Sequence, residues 1–148
     1  MAIKSKATKI EGFDELIKAL AVFGDEAMPI LQKHSGVAAD VVLQRAKALV
    51  PFETGALRDS LHVKSKDPKR GVYRVNSWIT WGDDVRAYAA PLELGHKVKF
   101  GKDAPVIGYA KPRPYLRPAA DKSKKEVVAV MMDGVNEALE KMGGLKAK

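Results

Sequence analysis

Asp59, Ser60 and His62 stand within four positions of one another, and a carboxylate, a hydroxyl and an imidazole are the parts of a nucleophilic hydrolase. The spacing argues against that chemistry. On a strand Ser60 and His62 point to one face while Asp59 and Leu61 point to the other, so the carboxylate cannot orient the ring. A solvated strand face is the better reading. The three histidines, His34, His62 and His96, are far apart and lack ligand spacing, so no metal site is expected. There is no cysteine, which excludes a disulfide scaffold, thiolate metal sites and a cysteine nucleophile. Gly95 to Lys102 has the outline of a phosphate loop, but it is one residue too long between glycines, and Asp103 replaces the required hydroxyl. Glu93 is the one acid in the apolar stretch Tyr88–Gly95. It can pair with an arginine such as Arg58 or face a partner subunit, and the ion pair is favoured. No perturbed acid–base pair emerges. The expectation is a protein without catalysis and without a cofactor.

Charge is the second candidate chemistry. The 148 residues carry a formal net charge of +8, which attracts polyanions or reports a lysine-rich surface. The bases concentrate between Gly95 and Lys125, with Lys97, Lys99, Lys102, Lys111 and Arg113 as the candidate partner- or DNA-facing set. Only Asp103 and Asp121 oppose that stretch, and Phe100, Tyr109 and Tyr115 interleave with it. This suits a nucleic-acid surface or a loop reaching onto an acidic neighbouring protein. No helix-turn-helix is visible, so sequence-specific DNA reading is not expected.

The elements that must hold these residues divide at Val50–Ser60. Pro51 removes a backbone donor and disfavours helical geometry at Val50, so the preceding helix should stop there. Gly55 lets the chain turn where a Cβ would clash, and Thr54 is suited to cap a short helical turn through Leu57 and Arg58. Before this hinge the pattern predicts two helices. The first runs from Gly12 to Phe23 with Phe13, Leu16, Ile17, Leu20 and Phe23 on one face, and ends at Gly24. The second opens at Asp25–Glu26, tolerates Pro29 in its first turn, and can kink at Gly36. Its apolar positions are Ile30, Leu31, Val37, Val41, Val42 and Leu49, and its alanines allow close packing. After the hinge the period changes to two, predicting a meander with strands at 60–66, 72–75 and 78–82. Tyr88–Gly95 reads as a short helix ended by Gly95. Residues 96–112 read as a long loop or extended ribbon, and 112–118 as an edge strand because its prolines cannot donate ladder bonds. The last helix spans 119–142, with Val127, Val128, Val130, Met131, Val135, Leu139 and Met142 as its apolar face.

The fold class expected is therefore α+β in one domain over 1–148: an antiparallel sheet of about four strands packed against a long helix and a C-terminal helix. Residues 1–10 form a basic arm and 143–148 a tail. No stretch approaches the ~20 apolar residues of a membrane span, and no apolar run follows the first lysines as in a signal peptide.

Three pieces in order carry a resemblance. They are Ala46–Ser60, with Pro51, Thr54, Gly55, Leu57, Arg58 and Ser60; Tyr88-Ala89 through Glu93-Leu94-Gly95; and Arg113–Ala119, with Pro114, Leu116 and Pro118. Together they resemble the neck and tail-completion (minor tail component) proteins of long-tailed bacteriophages, over about residues 36–136. Glu53 stands where that family usually has Asp, and His96 where it usually has a hydroxyl residue. The resemblance implies a structural virion protein of the head–tail neck, made in the host cytoplasm. It implies a homo-oligomeric ring, six-fold, that joins head-completion or connector proteins to the tail tube or tail terminator and lets DNA pass without sequence specificity. The rival reading from the residues is a basic nucleic-acid-binding module without sequence-specific readout.

Overall fold

A computed structural model describes the backbone of residues 13–51, 55–69, 71–141 and 143, and the side chains of these from residue 21 onward. The chain is α+β, with four helices and four strands in the order α1 (Phe13–Leu49), α2 (Ala56–Ser60), β1 (His62–Lys66), β2 (Asn76–Thr80), α3 (Arg86–Leu94), β3 (His96–Lys99), β4 (Val106–Ala110) and α4 (Leu116–Lys141) among the described residues. The basic arm, the Thr54 cap, the residue Met142 and the 144–148 part of the tail lie outside the described residues. So do the side chains that were to form the apolar face from Phe13 to Leu20.

α1 corrects the expectation of two helices. It runs unbroken through Gly24, Pro29 and Gly36 for 37 residues, about 55 Å at helical rise. Gly24 does not terminate it because glycine lowers helix propensity by only about 1 kcal/mol, and here the glycine is a landing site. A Cβ there would fall 2.0 Å from Cε1 of Tyr73. Pro29 forfeits one intrahelical bond, a cost the long flanking turns absorb. The stop at Pro51 is as expected: α1 ends at Leu49, and the Val50 amide still donates to Ala46 O at 3.0 Å.

The face that α1 buries is smaller than its large apolar residues suggest. Ala27, Met28, Gln32, Ala38, Leu43 and Ala46 are buried, whereas Val37 and Leu49 are exposed. α4 answers with small residues. Ala119, Ser123, Gly134 and Ala138 are its buried positions, while Val128, expected on the apolar face, is 61% exposed. Small side chains on both helices permit a close crossing, and this is the main interface of the molecule. Polar contacts fix its register. Arg45 donates to Lys122 O, to Ser123 Oγ and to the Glu126 carboxylate. His34 has Val130 O 3.1 Å from Nδ1 and Glu137 Oε2 2.9 Å from Nε2. Both partners accept, so only the doubly protonated ring can donate to the two at once. That hydrogen bond, ahead of the nearby lysine charges, holds the Glu137 carboxyl below the usual carboxylate range.

Gly134, an interior blemish in the sequence, is where His34 crosses. A Cβ at Gly134 would lie 2.7 Å from His34 Cγ. The ring is anchored at both nitrogens and cannot yield freely. Gly134→Ala is therefore expected to lose about 1–3 kcal/mol despite the gain in helix propensity. Chemical denaturation checks this, and a variant as stable as the parent would refute it.

The strands correct the meander. β1 pairs antiparallel with β2, from His62 opposite Thr80 to Lys66 opposite Asn76, and β3 pairs with β4 in a separate two-stranded sheet. The returning strand starts at Asn76, where the sequence suggested a break, because Gln32 completes it. The Gln32 side chain accepts from Asn76 N at 2.9 Å and donates to Asn76 O at 3.0 Å, so a buried amide on α1 pairs with that backbone as a neighbouring strand would. Val72–Val75 forms no strand. It runs back along α1, with Tyr73 OH donating to Ala21 O at 3.4 Å and Gly71 N donating to Asp25. Ile79 and Trp81, two positions apart and so on one face, both pack on the core.

Residues 96–112 take the extended-ribbon alternative, as a β-hairpin with a bulge between Val98 and Lys99. It showed no clear period because neither face is deeply buried. Residues 112–118 form no edge strand. α4 begins at Leu116 and takes Pro118 into its first turn, where a missing N–H costs nothing. The core gathers at this end of the molecule, from Leu43, Ala46 and Val50 through Leu57, Leu61, Val85 and Ala89 to Tyr115 and Ala119.

Candidate functional site

Glu93 sits in the last turn of α3 and spends its carboxylate on another helix. Oε2 accepts from Tyr115 N at 2.6 Å and Leu116 N at 3.0 Å, and Oε1 accepts from Arg117 N at 3.1 Å. These are the orphan amides at the start of α4. Pro118 has none to offer, and Ala119 N already reaches Tyr115 O at 3.3 Å. One side chain thus satisfies every free donor of that helix end and places negative charge at the positive pole of its dipole. This corrects the expected pairing with Arg58, which instead donates from Nε to Asp59 Oδ1 at 3.1 Å. Arg113 N, donating to Leu92 O at 2.8 Å, closes the same junction one step earlier.

Gly95 ends α3 with φ 73°, as the sequence predicted. A Cβ there would fall 2.7 Å from Ala110 O, so the glycine also admits the closing end of the β3–β4 hairpin. Tyr115 anchors the far side. It is completely buried, and its hydroxyl donates to Ala89 O at 3.4 Å. Burial first, then the charges of Glu93 and Tyr88, push its phenol from 10.0 up to about 12. The unfolded chain releases that proton near pH 10 and the folded chain keeps it to about 12. The stability tied to it is complete below pH 10 and is lost as pH rises toward 12, with a slope of up to about 1.4 kcal/mol per pH unit. Tyr115→Phe is expected to flatten the fall in melting temperature between pH 10 and 11. Equal slopes in the two proteins would refute the assignment.

The hinge and α3 together enclose a cavity of about 530 Å3. Pro51, Gly55 and Leu57 form one wall, Ala87, Tyr88, Pro91 and Leu92 the other, and His96 closes it at the root of β3. Gly55 is buried at φ 79°, the left-handed turn that glycine favours, at the N-cap position of α2. The residues once weighed as a triad have local tasks: Ser60 Oγ donates to Leu57 O at 2.9 Å, and His62 Nδ1 lies 2.8 Å from Ser60 O.

The sequence motif therefore separates into two groups. Pro51, Gly55, Leu57 and Tyr88 converge on the cavity. Glu93, Gly95, Leu116 and Pro118 build the α3–α4 junction, with Leu116 packed on the core and Pro114 exposed beside it. Arg58 and Ser60 belong to α2 and its own contacts. The basic set is not brought together with either group. Lys97, Lys99, Lys102, Lys111 and Arg113 are all exposed, along the hairpin and its exit. Of the aromatic residues that interleave with the basic stretch, Phe100 is 85% exposed and Tyr109 72%, whereas Tyr115 is buried; Ile107, which the sequence did not single out, is 55% exposed. The lack of a burial period along the hairpin was the available signal. No group of histidine and acidic side chains among the described residues could hold a metal ion. No helix among them is long and apolar enough to cross a membrane.

A clamped helix junction, an open apolar cavity and an exposed apolar hairpin are features that suit an assembly protein. The family described as "Bacteriophage HK97-gp10, putative tail-component" matches residues 14–95, more than half of the chain, and the chain belongs to that family. It is thus a structural phage tail component, a virion protein that works against other virion proteins. No curated protein and no solved structure matches it.

Proposed function

We propose that this tail component acts at the head–tail neck. Copies of it close into a ring, six-fold, that joins the head connector or head-completion proteins to the tail tube or tail terminator, and DNA passes through the opening. The observation that carries this reading is the β3–β4 hairpin. It carries exposed Phe100, Ile107 and Tyr109 together with exposed Lys97, Lys99 and Lys102, an apolar and basic arm. Exposed apolar residues among charges mark a protein contact. Tight phosphate binding would impede passing DNA, so most of the basic charge is assigned to acidic protein surfaces.

Its test uses the closeness of the hairpin's ends. A Cβ at Gly95 would lie 3.1 Å from Pro112 N, so a short turn can replace residues 97–111 and leave the Glu93 junction intact. Phage carrying that replacement should accumulate filled heads and finished tails that do not join, seen by negative-stain microscopy. Normal attachment would refute the role of the hairpin. Tight, salt-dependent binding of the purified chain to duplex DNA at physiological salt would favour the nucleic-acid module instead.

A further inference from the structure

We infer that His34 is a proton-dependent latch between α1 and α4. The charged imidazolium ties the two helices at two points, and the neutral imidazole leaves one of them untied. The latch holds within one copy, whether or not copies close into a ring.

The side chain reaches from α1 to α4 with an acceptor at each nitrogen. Val130 O lies 3.1 Å from Nδ1, and Glu137 Oε2 lies 2.9 Å from Nε2. The His34 side chain is only 17% exposed, so water is a poor substitute for either partner. It is also seated on bare backbone. His34 fills the space a side chain at Gly134 would need, with Cγ 2.7 Å from that Cβ position.

Loss of one proton changes this contact in a definite sense. A hydrogen bond to a carboxylate is stronger than one to a peptide carbonyl, so the neutral imidazole keeps its one N–H on Nε2, toward Glu137. Nδ1 then presents a lone pair to Val130 O across 3.1 Å, and two acceptors face each other. The tie at Val130 opens. The tie at Glu137 remains but loses its attraction between full charges. Both lie in the α1–α4 contact, the main interface of the molecule.

The charged neighbours do not change over the same range. From α4, Glu137 is held below the usual carboxylate range, first by this hydrogen bond, and Lys141 Nζ lies 3.6 Å from its Oε1. From α1 itself, Lys33 adds positive charge beside the pair. Glutamate and lysine side chains keep their charges between about pH 5 and 9, the range in which histidine changes its own. β1 and β2 meet α1 at Gly36 and Gln32, about 200° round the helix from His34, so the charged groups of that sheet lie across the helix from the imidazole. The carboxylate's share of the latch is complete above the ordinary value of 4.5 and is lost as pH falls below it. The imidazolium's share is present in mildly acidic solution and is lost as pH rises through the histidine range.

A double-mutant cycle of His34→Gln and Glu137→Gln in the full chain, read by chemical denaturation, measures the coupling across the latch. The coupling factor in the unfolding equilibrium constant should be at least about threefold larger at pH 5.5 than at pH 8.5, the size expected of a partly exposed charge pair. A pair that serves only as packing would couple equally at both, and a smaller ratio overturns the latch. NMR of the parent chain gives a readout free of any variant that folds poorly. The carbonyl carbon of Val130 should shift between pH 5 and 8.5 with the same midpoint as the imidazole protons of His34. A Val130 signal that stays still while His34 titrates overturns the latch as well.

Discussion

Glu93→Ala should lower the melting temperature by about 5–10 °C, the shift expected for a loss of about 2–3 kcal/mol in a chain of this size. The substitution removes the acceptor of three amides at once, those of Tyr115, Leu116 and Arg117. Partial access of water to that helix end keeps the loss below three full charged hydrogen bonds. Glu93→Gln retains one acceptor oxygen and should lose about half as much, and Glu93→Asp, a methylene shorter, should behave like alanine. Circular dichroism reads the melting, and amide exchange localises it. Protection should fall at residues 115–117 while the amides of β1 and β2 stay as they were. An unchanged melting curve for Glu93→Ala would show that the α3–α4 junction does not depend on this carboxylate. The same variant should loosen the exit of the hairpin, because Arg113 leaves it directly against Leu92.

Gly55→Val is expected to be of similar size, about 2–4 kcal/mol, through a different cause. Gly55 holds φ 79° and ψ −16°, a left-handed conformation that a β-branched residue rarely adopts. It is also buried and lines the cavity, so a branched side chain there alters the packing of that wall. Gly55→Ala carries only the backbone part, about 1–2 kcal/mol. The order Gly, then Ala, then Val in unfolding midpoints separates strain from crowding. Valine at the parent's stability would refute the account.

The sequence disclosed most where a residue acts through its own backbone. Pro51 stopped α1 where expected, Gly95 ended α3, and Gly55 made the turn between helix and strand. Each of these is a local restriction on φ or on a donor, and it holds in almost any surroundings. Glu93 was legible as exceptional, a lone acid among apolar residues, but its partner was not. The amides it serves lie more than twenty positions later. Prolines at 112, 114 and 118 pointed to an extended strand, yet Pro118 fits equally into the first turn of a helix, and the remote carboxylate decided between them.

Gly24, Gly36 and Gly134 teach the converse. In sequence they weaken a helix. In the folded chain Gly24 and Gly134 are the places where Tyr73 and His34 come close, and α1 and α4 continue through them. The amino-acid order by itself determined the α+β class, the boundary at Pro51, the turns at Gly55 and Gly95, and the concentration of base between Gly95 and Lys125. Tertiary structure alone decided that α1 is one helix, that the strands make two small sheets, that Glu93 caps α4, and that a cavity opens beside an unburied hairpin. The physical reason is range. Backbone restrictions are properties of a residue and its immediate neighbours, whereas helix continuity, strand pairing and capping depend on which distant groups arrive to satisfy them.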